Sequence, residues 1–186
     1  MAINRRLEQE LIDLYATTLV EGLSQEGGID SVIEGRDQLN QIIEYLYSHL
    51  ELIEYFDTLV SLSEEERTEK LSEVFEGLHP TVFSVINIMV ERGEFKKLPK
   101  VNNLFHQKIV TMLNTNIIDV VTRVPLDDHL REVIKKKAAA ELGTDIILDE
   151  TIDENMLGGI IMNVNGKRID ASMRTMLGNA RRVLKV

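Results

Sequence analysis

Four histidines, two adjacent aspartates, a Gly-Lys pair and a run of three lysines are the residues of this 186-residue chain best suited to chemistry. His49, His79, His106 and His129 fall in four separate stretches, and none has a second histidine at ligand spacing. Cysteine is absent, which excludes disulfides and thiolate metal sites. Asp127-Asp128 has the look of a catalytic carboxylate pair. Adjacent residues at a helix start do not converge on one point, however, and a helix cap accounts for them more simply. Gly166-Lys167 invites a phosphate-loop reading that fails twice, since Ile161 stands where glycine is needed and Arg168 where serine or threonine is needed. Lys135-Lys136-Lys137 point in three directions if helical and have no aromatic neighbours for base stacking. Gly158-Gly159 reads as a place where bulk is excluded or a strand kinks. No catalytic residue, metal or cofactor is expected.

The elements differ between the two parts of the chain. Apolar residues make up 44% of the sequence and aromatics only 5%, with no tryptophan, a composition that favours helices packed through Leu, Ile and Val. The net charge of −10 is uneven. Up to Phe105 there are 9 basic and 20 acidic residues; from His106 onward there are 12 and 11. The first part is acidic enough to repel nucleic acid and anionic lipid, so neither is expected as a partner. No window approaches eighteen apolar residues, and no direct membrane insertion is expected. The N-terminus lacks an apolar run, and early Glu8, Glu10 and Asp13 argue against a transit peptide.

Before Thr115 the periodicity is helical. Asn4 can cap a first helix carrying Leu7, Leu11, Leu14, Tyr15 and Leu19, and Gly27-Gly28 ends it. A second helix from about Asp30 carries Val32, Leu39, Ile43, Leu46 and Leu50, and must bend or break between His49 and Glu54. Ser63-Glu64-Glu65-Glu66 forms a capping box for a short helix ending at Gly77. Pro80 opens a helix that is apolar nearly all round, through Val82, Val85, Ile86 and Met89, until Gly93. Leu98, Val101, Phe105 and Ile109 mark the last helix of this part. Beyond Thr115 alternation takes over: Ile118 to Val124 as a strand ending at Pro125, a helix from Asp127 closed by Gly143, and a second strand through Ile146 and Leu148, parallel to the first. Ile160, Met162 and Val164 alternate, Asn165-Gly166 makes a type I′ hairpin, and Asp170 caps a terminal helix carrying Met173, Met176, Leu177, Ala180 and Leu184. The chain thus reads as mainly α with a small α/β part: an N-terminal six-helix bundle over 1–113 and a small α/β domain with a mixed sheet over 114–186. The apolar stripes of the Tyr15 and Pro80 helices either fill the bundle core, the simpler reading for any single residue, or present a surplus face to a partner, which makes them the best binding candidates.

The stretch Asp153-x-x-x-Leu157-Gly158-Gly159, followed by a strand, a glycine hairpin and Ile169-Asp170-x-Ser172-x-Arg174-x-x-Leu177, resembles the C-terminal signature of the delta subunits of F-type ATP synthases. This is the family of the mitochondrial oligomycin-sensitivity-conferring protein. Tyr15-Ala16 with Leu19, Glu65-Glu66-Arg67, and Phe83 through Gly93, Phe95, Leu98, Pro99 and Phe105 resemble the family's N-terminal helices. Arg67 stands in place of the family's usual lysine; Thr17 stands for a lysine and Glu94 for an arginine, so the roles of those last two basic groups do not carry over.

The resemblance implies a non-catalytic stator subunit of the peripheral stalk. It links the alpha subunits of the catalytic head to the b subunits, so that proton-driven rotation is coupled to ATP synthesis. The implied location is the cytoplasmic face of the cell membrane, peripherally, within the ATP synthase complex. The helical bundle would take N-terminal segments of the alpha subunits through Leu11, Tyr15, Ala16, Leu19, Val82, Val85, Ile86 and Met89. The C-terminal domain would take the b subunits through Leu157, Gly158, Gly159, Asp170, Ser172, Arg174 and Leu177. The alternative is a free-standing regulatory adaptor, a helical bundle joined to a ligand-sensing α/β domain.

Overall fold

The computed structural model describes residues 2–49, 51–164 and 166–184. Its internal contacts divide the chain into Met1–Met112 and Leu113–Val186.

The first unit is helical because its apolar residues recur every three or four positions and its breaks fall at cap and glycine signals. Its helices are α1 (Ala2–Ser48), α2 (Glu51–Leu59), α3 (Glu64–Val74), α4 (Pro80–Glu91) and α5 (Leu98–Leu113), with a 3-10 turn at Phe95–Lys97. Gly27 (φ −150°) and Gly28 (φ 66°, ψ −145°) interrupt α1, so the bundle contains six helical segments. Only glycine takes the Gly28 conformation without steric cost. Asn4 lies inside α1, not ahead of it, and its side chain, like Leu50, falls outside the described residues. Ser63 Oγ accepts from Glu66 N while the Glu66 carboxylate accepts from Ser63 N, closing the expected capping box. The helix it opens stops at Val74, three residues before Gly77, where Phe75 turns inward to stack on Phe56.

The bundle core is aliphatic along α1, α4 and α5, and aromatic at one end. Phe56 stacks on Phe75 (centroids 5.4 Å) and tilts against Phe95 (4.3 Å). Salt bridges Lys108–Asp13 (2.9 Å) and Lys100–Glu8 (2.7 Å) tie α5 to α1. Buried Arg67 reaches Asn87 Oδ1, the Leu62 carbonyl and the Glu91 carboxylate, so its charge does not stand alone in the interior.

The second unit holds β1 (Thr115–Thr122), α6 (Asp128–Leu142), β2 (Asp145–Ile152), β3 (Gly159–Val164), β4 (Lys167–Ser172) and α7 (Met173–Leu184). The sheet is mixed, in the order β2-β1-β3-β4. β1 and β2 run parallel across the α6 crossover, and β1/β3 and β3/β4 are antiparallel. One face carries Ile118, Val120, Ile146, Leu148, Ile160, Met162 and Val164, packed with Ile134, Ala138, Ala139 and Leu142 of α6. Asp127 Oδ1 accepts from Leu130 N at 2.6 Å, and Gly143 closes α6 in the left-handed region (φ 70°). The Arg131 guanidinium clasps Glu150, fixing α6 to β2; this bond, with a backbone bond from Leu126, outweighs burial and holds the Glu150 carboxyl below its usual range.

Two local expectations are corrected. β1 ends at Thr122, not at Pro125: Thr122 Oγ1 donates to the Val124 carbonyl at 2.8 Å, and Val124 turns out into solvent. Asp170 lies within β4, and the side chain that accepts from the first turn of α7 is Ser172, whose Oγ receives Thr175 N at 3.3 Å. Asp170 acts one step earlier, accepting Ser172 N at 3.0 Å. Gly166 takes φ 79° in the β3–β4 turn, while Asn165 lies outside the described residues.

Candidate partner-binding surfaces

Three of the four histidines are engaged in structure. His79 caps α4, its Nδ1 accepting from Thr81 N; His106 bonds Asn40 Oδ1 (3.1 Å); His49 faces Glu51 (3.2 Å). Among the described residues no three His, Asp or Glu side chains converge as a metal site. Gly166-Lys167 is the hairpin turn, with Lys167 paired to Val164. No helix among the described residues is long and apolar enough to cross a membrane.

The Tyr15 and Pro80 stripes go mostly inward. Ala16, Leu19, Val82, Ile86 and Met89 are fully enclosed, Tyr15 and Val85 nearly so, and Leu11 is half-buried. Gly22 allows the close approach of the two helices here, since a Cβ on it would lie 2.7 Å from Thr81 Cγ2. What periodicity reads as a surplus face on α4 is therefore largely its central place in the bundle. Near the start of α1, Leu7 and Leu14, each 58% exposed, form one stripe with Leu11 at i, i+4, i+7; Tyr45 and Tyr47 lie outside near its end, and Ile88 is the large apolar residue of α4 left out.

Tyr15 carries a feature no periodicity announces. Its hydroxyl donates to Glu94 Oε2 at 2.7 Å, and Lys97 Nζ holds the other carboxylate oxygen at 2.8 Å. Burial, then the Glu94 carboxylate, push the Tyr15 hydroxyl up to about 12. Burial pushes the Glu94 carboxyl up, but the bonds from Lys97 and Tyr15 together outweigh it and hold that group below its usual range. The pair joins α1 to the turn after α4, 79 residues apart in sequence, and only the tertiary fold brings it together.

In the second unit, the two halves of the glycine signature meet. Gly159 pairs with Ser172, and the Gly158 carbonyl accepts Met173 N at 2.9 Å. A Cβ on Gly159 (φ 86°) would crowd the Ala171 carbonyl oxygen and lie 2.8 Å from Ser172 Cα and 3.0 Å from Met173 N, all backbone atoms. One on Gly158 would meet Met173 Sδ at 2.8 Å. With the Asp170–Ser172–Thr175 relay, these glycines build the joint from which α7 departs. They set the direction in which α7 departs.

That helix buries nothing. Met173, Met176, Leu177 and Leu184 are 48–71% exposed, and Leu157, next to the glycine pair, is 57% exposed. Arg174 lies on the same helix, at the border of the stripe. The result is an amphipathic helix exposed along its apolar side.

Comparison with known proteins agrees. The family model for "ATP synthase delta (OSCP) subunit" matches residues 12–184, across both units. The chain is similar to ATP synthase subunit delta of Xanthobacter autotrophicus (27% identity, covering 92% of this chain and 84% of that one) and of Erythrobacter litoralis (25%, all of both chains). A chain in the cryo-EM structure of the Toxoplasma gondii mitochondrial ATP synthase hexamer superposes with a TM-score of 0.49 at 16% identity, covering 95% of this chain and 98% of that one; a likeness this loose carries no further weight. With a family match that runs through the bundle, the glycine joint and α7 alike, the chain belongs to the ATP synthase delta (OSCP) subunit family, the non-catalytic peripheral-stalk subunits of the F-type ATP synthase.

Proposed function

We propose that the helical unit holds N-terminal segments of the alpha subunits and that the C-terminal unit holds the b subunits. The chain thereby fixes the catalytic head against rotation, on the cytoplasmic face of the cell membrane. The observation that carries this reading is the division of apolar surface. The helical unit encloses its core and leaves the Leu7, Leu11, Leu14 stripe among its outer apolar residues, while in the second unit no described residue of α7 is buried. On this reading the contact residues on α1 are that outer stripe, and Tyr15, Ala16 and Leu19 support it from beneath. A coupling subunit must release its partners slowly; a helix laid against an apolar face achieves that with a small contact area.

Titration calorimetry on the full chain tests it. A peptide from the start of the alpha subunit should bind wild type and fail to bind Leu14→Asp, and the soluble distal segment of b should bind both. If Leu14→Asp binds the alpha peptide as wild type does, the α1 stripe is not the contact.

A further inference from the structure

The open face of α7 has an asymmetric border. Met173, Leu177, Ala180 and Leu184 recur at i, i+4, i+7, i+11, the spacing of a seam between two helices. Beside that seam, on one side only, stand Arg174 and Arg181, seven residues and about 10 Å apart at 1.5 Å per residue. Met176 and Val183 occupy the opposite border, exposed at 54% and 81%. The helix carries three arginines and no acid. Neither Arg174 nor Arg181 has a hydrogen bond or ion pair among the described residues, whereas Arg182 points elsewhere and leans on Asn179.

Resting on the stalk reading above, we propose that this face receives an amphipathic helix of a partner protein with two carboxylates seven residues apart along one edge of its apolar stripe, set against Arg174 and Arg181. In paired helices, residues bordering the seam choose the partner and its register through charge, and two unanswered guanidinium groups on one border call for carboxylates there. The small Ala180 at the middle of the seam leaves room for a large side chain from the incoming helix. A second copy of this chain fits badly. Antiparallel pairing of two α7 faces sets arginines against arginines, and parallel pairing sets them against Met176 and Val183. An anionic membrane fits badly too, because only one border of the helix is basic and the chain from His106 onward carries nearly as many acidic as basic residues, 11 against 12.

The test uses the full chain and two synthetic 21-residue peptides with leucine along the seam and one tryptophan. One has glutamate at both bordering positions of each heptad and the other has lysine. The chain has no tryptophan, so emission reports the peptide alone. The glutamate peptide should bind at least tenfold tighter than the lysine peptide at low salt, with the gap narrowing as salt rises. R174E/R181E, both on the solvent side, should invert the preference, and L177D should lose both peptides. Equal binding of the two peptides, no binding of either, or an unchanged preference in R174E/R181E overturns the proposal. So does capture by phosphatidylglycerol vesicles in place of the glutamate peptide. The distal b segment, run in parallel, separates the two claims. A glutamate preference without b binding refutes the stalk reading alone, and b binding indifferent to R174E/R181E refutes the charge border alone.

Discussion

Replacing Gly159 with valine puts a side chain where the structure has only backbone. Its φ of 86° is costly for any residue with a Cβ, about 1–2 kcal/mol. The added atom would press on the Ala171 carbonyl, Ser172 Cα and Met173 N, none of which can swing away as a side chain can. Overpacking of that kind adds roughly 1–3 kcal/mol, for a total of about 2–5 kcal/mol. A unit the size of Leu113–Val186 has about 4–11 kcal/mol of stability at typical values per residue. The substitution therefore removes a large share of it, and at roughly 4–8 °C per kcal/mol the melting point should fall by about 10 °C or more. All four tyrosines and all five phenylalanines lie at or before Phe105, so tyrosine emission reports the helical unit alone, while far-ultraviolet circular dichroism reports both. The expected result is an early loss of part of the dichroism with an unchanged tyrosine-detected transition, together with weaker binding of b. Gly158→Ala should cost less, because its obstacle is the flexible Met173 side chain. If Gly159→Val melts and binds b like wild type, the joint does not depend on close backbone approach and the argument fails.

Tyr15 should ionise near pH 12, giving a high-pH step in the absorbance titration that Tyr15→Phe removes. Its folded value lies above the ordinary one near 10, so its contribution to stability is complete below pH 10 and is lost between about 10 and 12. Denaturant midpoints across that window should fall in wild type by more than in Tyr15→Phe. Ser63→Ala removes the hydroxyl that accepts from Glu66 N, leaving the backbone Ser63 N to donate to the Glu66 carboxylate, and should cost about 1 kcal/mol by urea denaturation, with activity of the assembled enzyme unchanged. Phe56→Ala opens the aromatic end of the bundle and should cost about 3–5 kcal/mol on the same measurement.

What the sequence made legible were signals that act within a few residues. Gly27-Gly28, the Ser63–Glu66 box, Pro80, Asp127 and Gly143 all work locally, and each ends or starts an element where expected. The glycine signature was legible as a place that excludes bulk, because strand alternation around a glycine already implies close approach. What escaped required the third dimension. Val82, Val85, Ile86 and Met89 lie on a helix apolar nearly all round, and only the packing of α1, α2 and α3 around α4 decides that they are core. The Tyr15–Glu94 bond joins residues 79 apart, with no pattern connecting them. The Asp170 and Ser172 roles differ by two residues: both are good caps by type, and only the end of β4 decides between them. The amphipathicity of α7 is visible in sequence, but that none of its described residues is buried emerges only in the fold.

The account stands on the claim that this chain couples head to stalk through two separate surfaces. The direct measurement is ATP-driven proton pumping by membranes lacking this subunit, to which purified protein is added back. Membranes without it should hydrolyse ATP but pump poorly, and wild type should restore pumping. L177D should bind the head and leave pumping unrestored, and Leu14→Asp should fail to join the head at all. Full pumping in the absence of the subunit, or full restoration by L177D, would contradict the account.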